Sequence, residues 1–311
     1  MRRPGVGSRS TVLGATPCGT SWRPTVPRPP RPGRPTGTRR PSSLRVTSTR
    51  WRRRRCPDRR PCARGRGQDL SPSRLLFLRS LAEAGKNDLF LAEDSQQRIY
   101  GQKIVLSKYG INIRGRSRRL TLNYRTTAET LHYATRILDQ QSVVDLDGAA
   151  ASSDGYRSAR TGPTPELVPC ISLAEEYQRA ARIVRGWIDA GDAPETIGLL
   201  VYTQAVAGKL QSGLADNGVE ARFVSSEATV DKGRPVIMTM HRSKGMEFKR
   251  VLLFGLDSVP GLQRLSQLPE ADRDDARLRE RSLLYVAATR ARDELVVMWK
   301  GEPSELLPEV A

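Results

Sequence analysis

The stretch 236–248 reads Val-Ile-Met-Thr-Met-His-Arg-Ser-Lys-Gly-Met-Glu-Phe and is the most informative segment of the chain. Its first four residues are mostly apolar, which predicts a short buried strand over 236–239. A polar run that begins at His241 follows almost directly. In parallel α/β domains, ligands bind beyond the carboxyl ends of the strands. We therefore expect 239–248 to contribute to a binding site.

On both sides of this stretch, from residue 68 onward, strand signals alternate with helix signals. Short apolar runs predict strands at 89–92, 197–201, 236–239, 251–254 and 295–298. Capping residues before helical apolar stripes predict helices that start at Ser71-Pro72, Thr126 and Ser172. Residues 141–168 are typical of a loop or linker. The alternation predicts an α/β fold, with a parallel sheet and helices on both faces.

Three further polar clusters accompany the predicted strands. Residues 93–101 follow the strand at 89–92, and 120–127 place Tyr124 and Arg125 at a helix N-terminus, a position suited to anions. Residues 283–292 carry Arg290 on a helix that leads into the last strand. Taken singly, Tyr124 and Arg125 also fit a packed tyrosine and a solvated arginine. Arg290 also fits a surface ion pair on a helix. His241 equally fits a capping or core histidine.

In this order and at these spacings, the four clusters resemble UvrD/Rep-type superfamily 1A DNA helicases over about residues 68–302. Residues 94–100 are similar to motif III of that family, 122–126 to motif IV, 239–248 to motif V and 284–292 to motif VI. The resemblance implies a RecA-like parallel sheet domain, preceded by the remnant of a first RecA-like domain.

The resemblance also implies residue roles at a nucleotide site. Tyr124 would stack on the adenine of ATP, and Gly245 and Glu247 would lie at the ribose. Arg125 and Arg290 would reach the γ-phosphate, where planar guanidinium groups bind phosphoryl oxygens bidentately.

Three more residues would couple the nucleotide to DNA. Gln97 would sense the γ-phosphate, and Thr239 and His241 would contact single-stranded DNA. The implied activity is ATP hydrolysis, with ATP and Mg²⁺ as cofactors, that drives 3′–5′ translocation on single-stranded DNA.

Two departures from the family pattern bear on this activity. No G-x-x-x-x-G-K-[ST] loop occurs in the sequence, so the amide cradle for phosphates and the hydroxyl for Mg²⁺ are missing. Residues 65–70 read Gly-Arg-Gly-Gln-Asp-Leu where the family has Asp-Glu-x-x-Asp. Gly65 and Arg66 thus stand where the metal-binding Asp and the catalytic Glu are expected. We expect no ATP turnover by this chain alone and no metal ligands within it.

The first 67 residues differ from the rest. They contain 19 Arg, 11 Pro and a single acid, Asp58, which gives a net charge of +18, whereas the other 244 residues sum to +1. Such a composition predicts disorder. The segment fits either a basic arm that binds phosphate backbone or an out-of-frame stretch without a selected function. The expected divisions are 1–67, a first-domain remnant at 68–119, a second RecA-like domain at 120–302 and a tail at 303–311.

Three functional hypotheses stay open at this point. The chain is part of an ATP-dependent helicase, a non-catalytic nucleic-acid-binding module that uses its basic arm, or a truncated product without activity. One cysteine, Cys170, lies beyond the basic segment, which favours a cytoplasmic setting. The sequence has no apolar run of 18 residues, so no membrane association is expected. The oligomeric state is left open.

Overall fold

The structure, a computed structural model, describes residues 54–55, 61–81, 85, 88–100, 104–113, 115–138, 143–144, 150–151, 155–225, 233–259 and 266–308. Its α-helices are α1 (Pro72–Leu81), α2 (Ala128–Ile137), α3 (Leu173–Asp189), α4 (Gln204–Asp216) and α5 (Glu270–Ala288). The strands before the main sheet are β1 (Arg54–Arg55), β2 (Pro61–Arg66), β3 (Leu89–Ala92), β4 (Leu122–Asn123), β5 (Val143–Val144), β6 (Ala150–Ala151) and β7 (Arg157–Ser158). The main sheet holds β8 (Glu166–Cys170), β9 (Ile197–Val201), β10 (Arg222–Phe223), β11 (Val236–Thr239), β12 (Phe248–Leu253) and β13 (Ala291–Lys300).

The main sheet has the strand order β10-β11-β9-β12-β13-β8, and all its neighbouring strands run parallel. Its central strand β9 is buried along its whole length, as expected for a parallel sheet that is covered on both faces. Successive side chains of β9 enter different cores: Leu200 packs in one apolar cluster with α2 and α5, and Leu199 packs in a second with α3 and α4. The predicted parallel sheet with helices on both faces is confirmed.

The leading segment, residues 61–113, forms its own small core. Strand β2 pairs with β3 in parallel, and α1 contributes Leu75 and Leu78 to an apolar cluster with Leu106 and Ile111. The strand at 61–66 lies inside the segment that was predicted to be disordered. Within this strand, Ala63–Arg66 pair with β3, and Pro61 and Cys62 pair with β1. Residues 1–53 and 56–60 lie outside the described residues.

Several local predictions need correction. The cap of α2 is Thr127, whose hydroxyl accepts from the Thr130 amide at 3.3 Å, and not Thr126. Strand β3 was expected to be buried, yet Phe90 is exposed. Strands β12 and β13 both begin earlier than the predicted 251 and 295.

The predicted loop over 141–168 contains the start of β8. Pro169 lies within this strand, opposite Trp299 of β13, and weakens its sequence signal. A proline is tolerated there because β8 is at the edge of the sheet, where a missing backbone donor leaves no ladder bond broken.

None of the helices in the described part of the chain is long and apolar enough to cross a lipid bilayer.

Candidate functional site

Arg125 and Glu247 meet at the surface between β4 and the start of β12. The Arg125 guanidinium lies 2.5 Å from Glu247 Oε1, and both side chains are about half exposed. The Asn123 side-chain oxygen accepts from the Arg125 amide at 2.7 Å and shapes the turn into α2. The ring of the preceding residue, Tyr124, is 72% exposed. The structure therefore brings together one predicted phosphate ligand and one predicted ribose ligand, and the residue next to Arg125 in sequence carries an exposed aromatic ring.

Arg290 lies in a different environment, since only 1% of it is exposed. Its Nε donates to the Val286 carbonyl at 2.9 Å, and its Nη1 donates to the Met246 carbonyl at 3.2 Å. The second bond joins Arg290 to the turn that carries Gly245 and Glu247. Arg290 is thus adjacent to the predicted nucleotide residues, but it is enclosed in the protein and does not form a surface ion pair.

The turn at 240–246 is built by local bonds. The Arg242 and Ser243 amides donate to the Thr239 carbonyl, and the Ser243 hydroxyl donates to the Met240 carbonyl at 2.7 Å. Gly245 ends the turn at φ 90°, in the left-handed region where a Cβ would add strain. This glycine therefore has a clear backbone role, in addition to the role that the resemblance implies.

Gln97 is held within its own loop. Its amide Nε2 donates to Asp94 Oδ2 at 2.7 Å, and its backbone carbonyl accepts from Lys244 Nζ at 2.9 Å. Burial raises the pKa of Asp94, although bonds from Gln97 and Gln96 and the Arg290 charge oppose the rise. Gln97 therefore contacts the 240–246 turn through its backbone, and not through the amide to which a sensing role was assigned.

Lys244 is a residue that the sequence did not single out. Only 8% of its side chain is exposed. Its Nζ forms an ion pair with Asp69, donates to Gln97 and lies 5.6 Å from the centre of the Tyr100 ring. Lys244 thereby joins three segments that the resemblance assigns to motifs II, III and V. Lys244 and Asp69 are 175 positions apart, so no local signal could have paired them.

Thr239 and His241 lie at and just beyond the carboxyl end of β11. The His241 ring is flanked by Tyr100 and Tyr202, with ring centres at 6.0 and 6.1 Å. The Tyr100 hydroxyl donates to the His241 carbonyl at 3.3 Å. His241 is therefore partly exposed in an aromatic cluster, and it is not a core histidine.

The predicted residues are divided between the two ends of the sheet. Thr239 and His241 follow β11, but Glu247 and Arg290 directly precede β12 and β13. Glu247 thus lies away from the carboxyl end of β11, where residues 239–248 were expected to contribute, whereas Arg290 lies just before the last strand, as its sequence position indicated. The turn at 240–246 connects the two groups.

A groove of about 840 Å³ lies elsewhere, between α3 and α4. It is lined by residues such as Tyr177, Lys209 and Asp216, and none of the predicted site residues lines it.

Residues 227–302 match the family model for the UvrD-like helicase C-terminal domain. The chain contains a UvrD-like helicase C-terminal region. This region includes Thr239, His241, Gly245, Glu247 and Arg290, so the predicted motif V and motif VI residues all belong to it. The UvrD-like region supports a helicase-family role for the chain.

A solved structure that resembles the chain is the C-terminal domain of a possible DNA helicase from Lactobacillus plantarum WCFS1. The two chains are 18% identical with a TM-score of 0.43, and the match covers 61% of this chain and 94% of the other. No curated protein matches this chain.

The residues present fit one side of a nucleotide better than they fit a metal ion. An open tyrosine ring, a guanidinium and a carboxylate suit a base, a phosphate and a ribose. Among the described residues, no group of three or more His, Cys, Asp or Glu side chains is placed to hold a metal.

Proposed function

We propose that this chain supplies the second RecA-like half of a UvrD-like helicase nucleotide site. In this proposal, residues 120–302 form that half and 68–119 are the remnant of a first RecA-like domain. The activity of the complete site is ATP hydrolysis coupled to 3′–5′ translocation on single-stranded DNA. The observation that carries the proposal is the Arg125–Glu247 pair, together with the exposed ring of Tyr124, the residue that precedes Arg125.

Each residue has a physical task. The ring of Tyr124 presents a flat apolar face to adenine, and Arg125 supplies a charge-assisted donor to the terminal phosphate. Glu247 accepts from a ribose hydroxyl. These two charges neutralise each other in the present structure, so nucleotide binding has to replace their ion pair by bonds to ATP.

Arg290 acts differently in this proposal. It anchors the turn that carries Gly245 and Glu247, because its guanidinium bonds to the carbonyl of Met246. To reach a phosphate it must first leave the Val286 and Met246 carbonyls. Gln97 likewise has to exchange its bond with Asp94 for one to the γ-phosphate. Thr239 and His241 contact the single strand at the other end of the same turn.

The 311-residue polypeptide has no ATP turnover by itself in this proposal. Phosphoryl transfer depends almost wholly on positioning and charge, and the sequence has no phosphate loop and has Gly65 and Arg66 in place of the Asp-Glu pair of motif II. We expect no ATPase activity above background with or without single-stranded DNA. Steady hydrolysis that is abolished in Arg290→Ala would contradict this part of the proposal.

The site itself is tested by nucleotide binding. Saturation-transfer NMR with ATP detects weak binding to the full chain. Base stacking contributes about 1–3 kcal/mol per base, so Tyr124→Ala should weaken ATP binding by about fivefold or more, and Tyr124→Phe should keep it. Arg125→Ala should weaken binding as well. Arg182→Ala, which removes an exposed arginine of α3, is the matched control and should have no effect.

The basic segment supports a second candidate function, non-catalytic nucleic-acid binding by residues 1–67. The observation that favours it is their net charge of +18. Deleting 1–67 should then weaken nonspecific DNA binding and reduce its salt dependence. Unchanged affinity at low salt would exclude the arm as a DNA-binding element.

A further inference from the structure

Exposed arginines cluster immediately before β4, in a stretch that has no role in the proposed nucleotide site. Residues 115–122 are all exposed, and they include Arg116, Arg118 and Arg119. The sequence from 112 to 128 contains five arginines and no acidic residue. Even Leu120 within this stretch is 86% exposed, and the Arg116 guanidinium donates to the backbone carbonyl of Asn112 in the same segment.

The β4–β7 ribbon adds a fourth arginine to this surface. Arg157 pairs with Leu122, and its amide donates to the Thr121 carbonyl at 3.0 Å. Arg157 is exposed. Burial raises the pKa of the neighbouring Tyr156, and the charge of Arg119 opposes that rise, which places Arg119 near the same ribbon. We call Arg116, Arg118, Arg119 and Arg157 the arginine strip.

Two other arginines nearby are held by carboxylates of the main domain. Arg125 pairs with Glu247, and Arg160 pairs with Asp293 at 2.6 Å. These pairs fix the ribbon to the sheet domain. The four arginines of the strip are exposed and take no part in these two ion pairs.

We propose that the arginine strip binds the phosphate backbone of duplex DNA. Residues 116–119 span about 10 Å when extended, and duplex DNA presents about six phosphate charges over that length. Guanidinium groups bind phosphates bidentately. Grooves for single strands add exposed aromatic platforms; Tyr156, the aromatic residue of the ribbon, is half-buried, and the exposed ring of Tyr124 belongs to the proposed nucleotide site. Membrane surfaces are usually bound by amphipathic helices, and this segment is not helical.

This inference goes beyond the proposed nucleotide site and does not need ATP. Its test is fluorescence anisotropy of the full-length chain without nucleotide, on a labelled 20-base-pair duplex and on a 20-nucleotide oligo-dT, between 50 and 200 mM salt. The test variant is R116Q/R118Q/R119Q/R157Q. The control variant R74Q/R182Q/R234Q/R277Q removes the same charge from exposed arginines on other elements. Both variants retain residues 1–67, so any binding by that segment is common to them.

The strip variant should bind the duplex at least tenfold more weakly at 100 mM salt. Its plot of log affinity against log salt should be less steep by about 3 to 4, since each lost phosphate contact removes about 0.9. The control variant should lose less than threefold, and oligo-dT binding should fall less than duplex binding. R116Q/R118Q and R119Q/R157Q should each show part of the effect, and circular dichroism should show unchanged folding.

Equal losses in the strip and control variants would overturn the proposal, because they would reflect net charge alone. A larger loss on oligo-dT than on the duplex would overturn the assignment to duplex DNA. Unchanged duplex binding together with lost binding to phosphatidylserine vesicles would assign the strip to a membrane surface instead. None of these results involves Tyr124 or Glu247, so a failure here is separate from a failure of the nucleotide site.

Discussion

The two arginines that were assigned the same task, Arg125 and Arg290, lie in opposite environments. Arg125 is at an open surface and holds one exposed carboxylate, whereas Arg290 is enclosed and bonds to two backbone carbonyls. An exposed ion pair contributes little to stability, but a buried charged donor is costly to remove. The difference separates a group that is ready to meet a ligand from a group that holds the ligand-binding turn in shape.

The largest expected effect on stability is at Arg290, the buried arginine. Arg290→Met should lower the free energy of unfolding by about 3 kcal/mol, because the Met246 carbonyl loses the guanidinium donor and the Val286 carbonyl keeps only its bond from the Thr289 hydroxyl. Urea unfolding measures this change. The control is Arg292→Met, two residues further along in β13, whose guanidinium is about half exposed and pairs with Asp293. If both variants lose the same small amount of stability, Arg290 is not a structural anchor.

The buried carboxyl of Glu176 is expected to make the stability of the protein depend on pH. Glu176 is fully buried, and one of its oxygens accepts from the Gly255 amide at 3.0 Å. Burial raises its pKa from 4.5 to about 7, against this bond and the Lys300 charge. The folded state therefore holds this proton more tightly than the unfolded state. The contribution of this protonated carboxyl to the free energy of unfolding is complete below pH 4.5 and is lost as the pH rises through 7.

The difference between these two pKa values corresponds to roughly 3 kcal/mol. Unfolding free energies at pH 5.5 and 8.5 should therefore differ less in Glu176→Gln than in the original protein. Glu175→Gln, at the neighbouring half-buried position of α3, should leave the pH dependence between 5.5 and 8.5 intact. A pH dependence that persists unchanged in Glu176→Gln would rule out this carboxyl as its source.

A smaller and more local effect is expected at Lys244. Lys244→Met removes the ion pair with Asp69 and the bond to the Gln97 carbonyl, which should cost about 1–3 kcal/mol. Hydrogen exchange should become faster in residues 67–100 and stay unchanged in β9. Lys209→Met on α4 serves as the control. Equal acceleration in β9 would show that Lys244 supports the whole fold and does not specifically hold the leading segment.

The fold was largely predictable because its elements have strong local signals. Strands β9 and β11 and the helix cap at Ser172 lie where the apolar runs and capping residues predicted them. Strand β8 was missed because Pro169 argues against a strand unless the strand is known to be at an edge, and edge position is a property of the folded sheet.

The candidate site was predictable only in part. The residues around 125 and 247 were singled out by resemblance, and the structure brings these two together. Burial of Arg290 and the pairing of Lys244 with Asp69 depend on tertiary packing between distant segments, which no local pattern encodes. The strand at 61–66 was hidden for a related reason, since its partner β3 stabilises a sequence whose composition favours disorder.

Arg125, the exposed arginine, is expected to have the smallest effect on stability and the clearest effect on nucleotide binding. Arg125→Gln should change the free energy of unfolding by less than about 1 kcal/mol. Urea unfolding measures the change, and Arg182→Gln is its control. A loss above about 2 kcal/mol would mean that Arg125 is part of the structural core of the domain.

The most direct test of the nucleotide site compares the binding of ATP and of inorganic tripolyphosphate to the full chain and to Glu247→Gln. In Glu247→Gln, Arg125 is released from its surface ion pair, which should strengthen tripolyphosphate binding by about two- to fivefold. The same variant loses the contact to the ribose, so the preference for ATP over tripolyphosphate should disappear. Glu302→Gln should change neither affinity. If Glu247→Gln leaves both affinities unchanged, or weakens both equally, the Arg125–Glu247 surface is not where this protein meets a nucleotide.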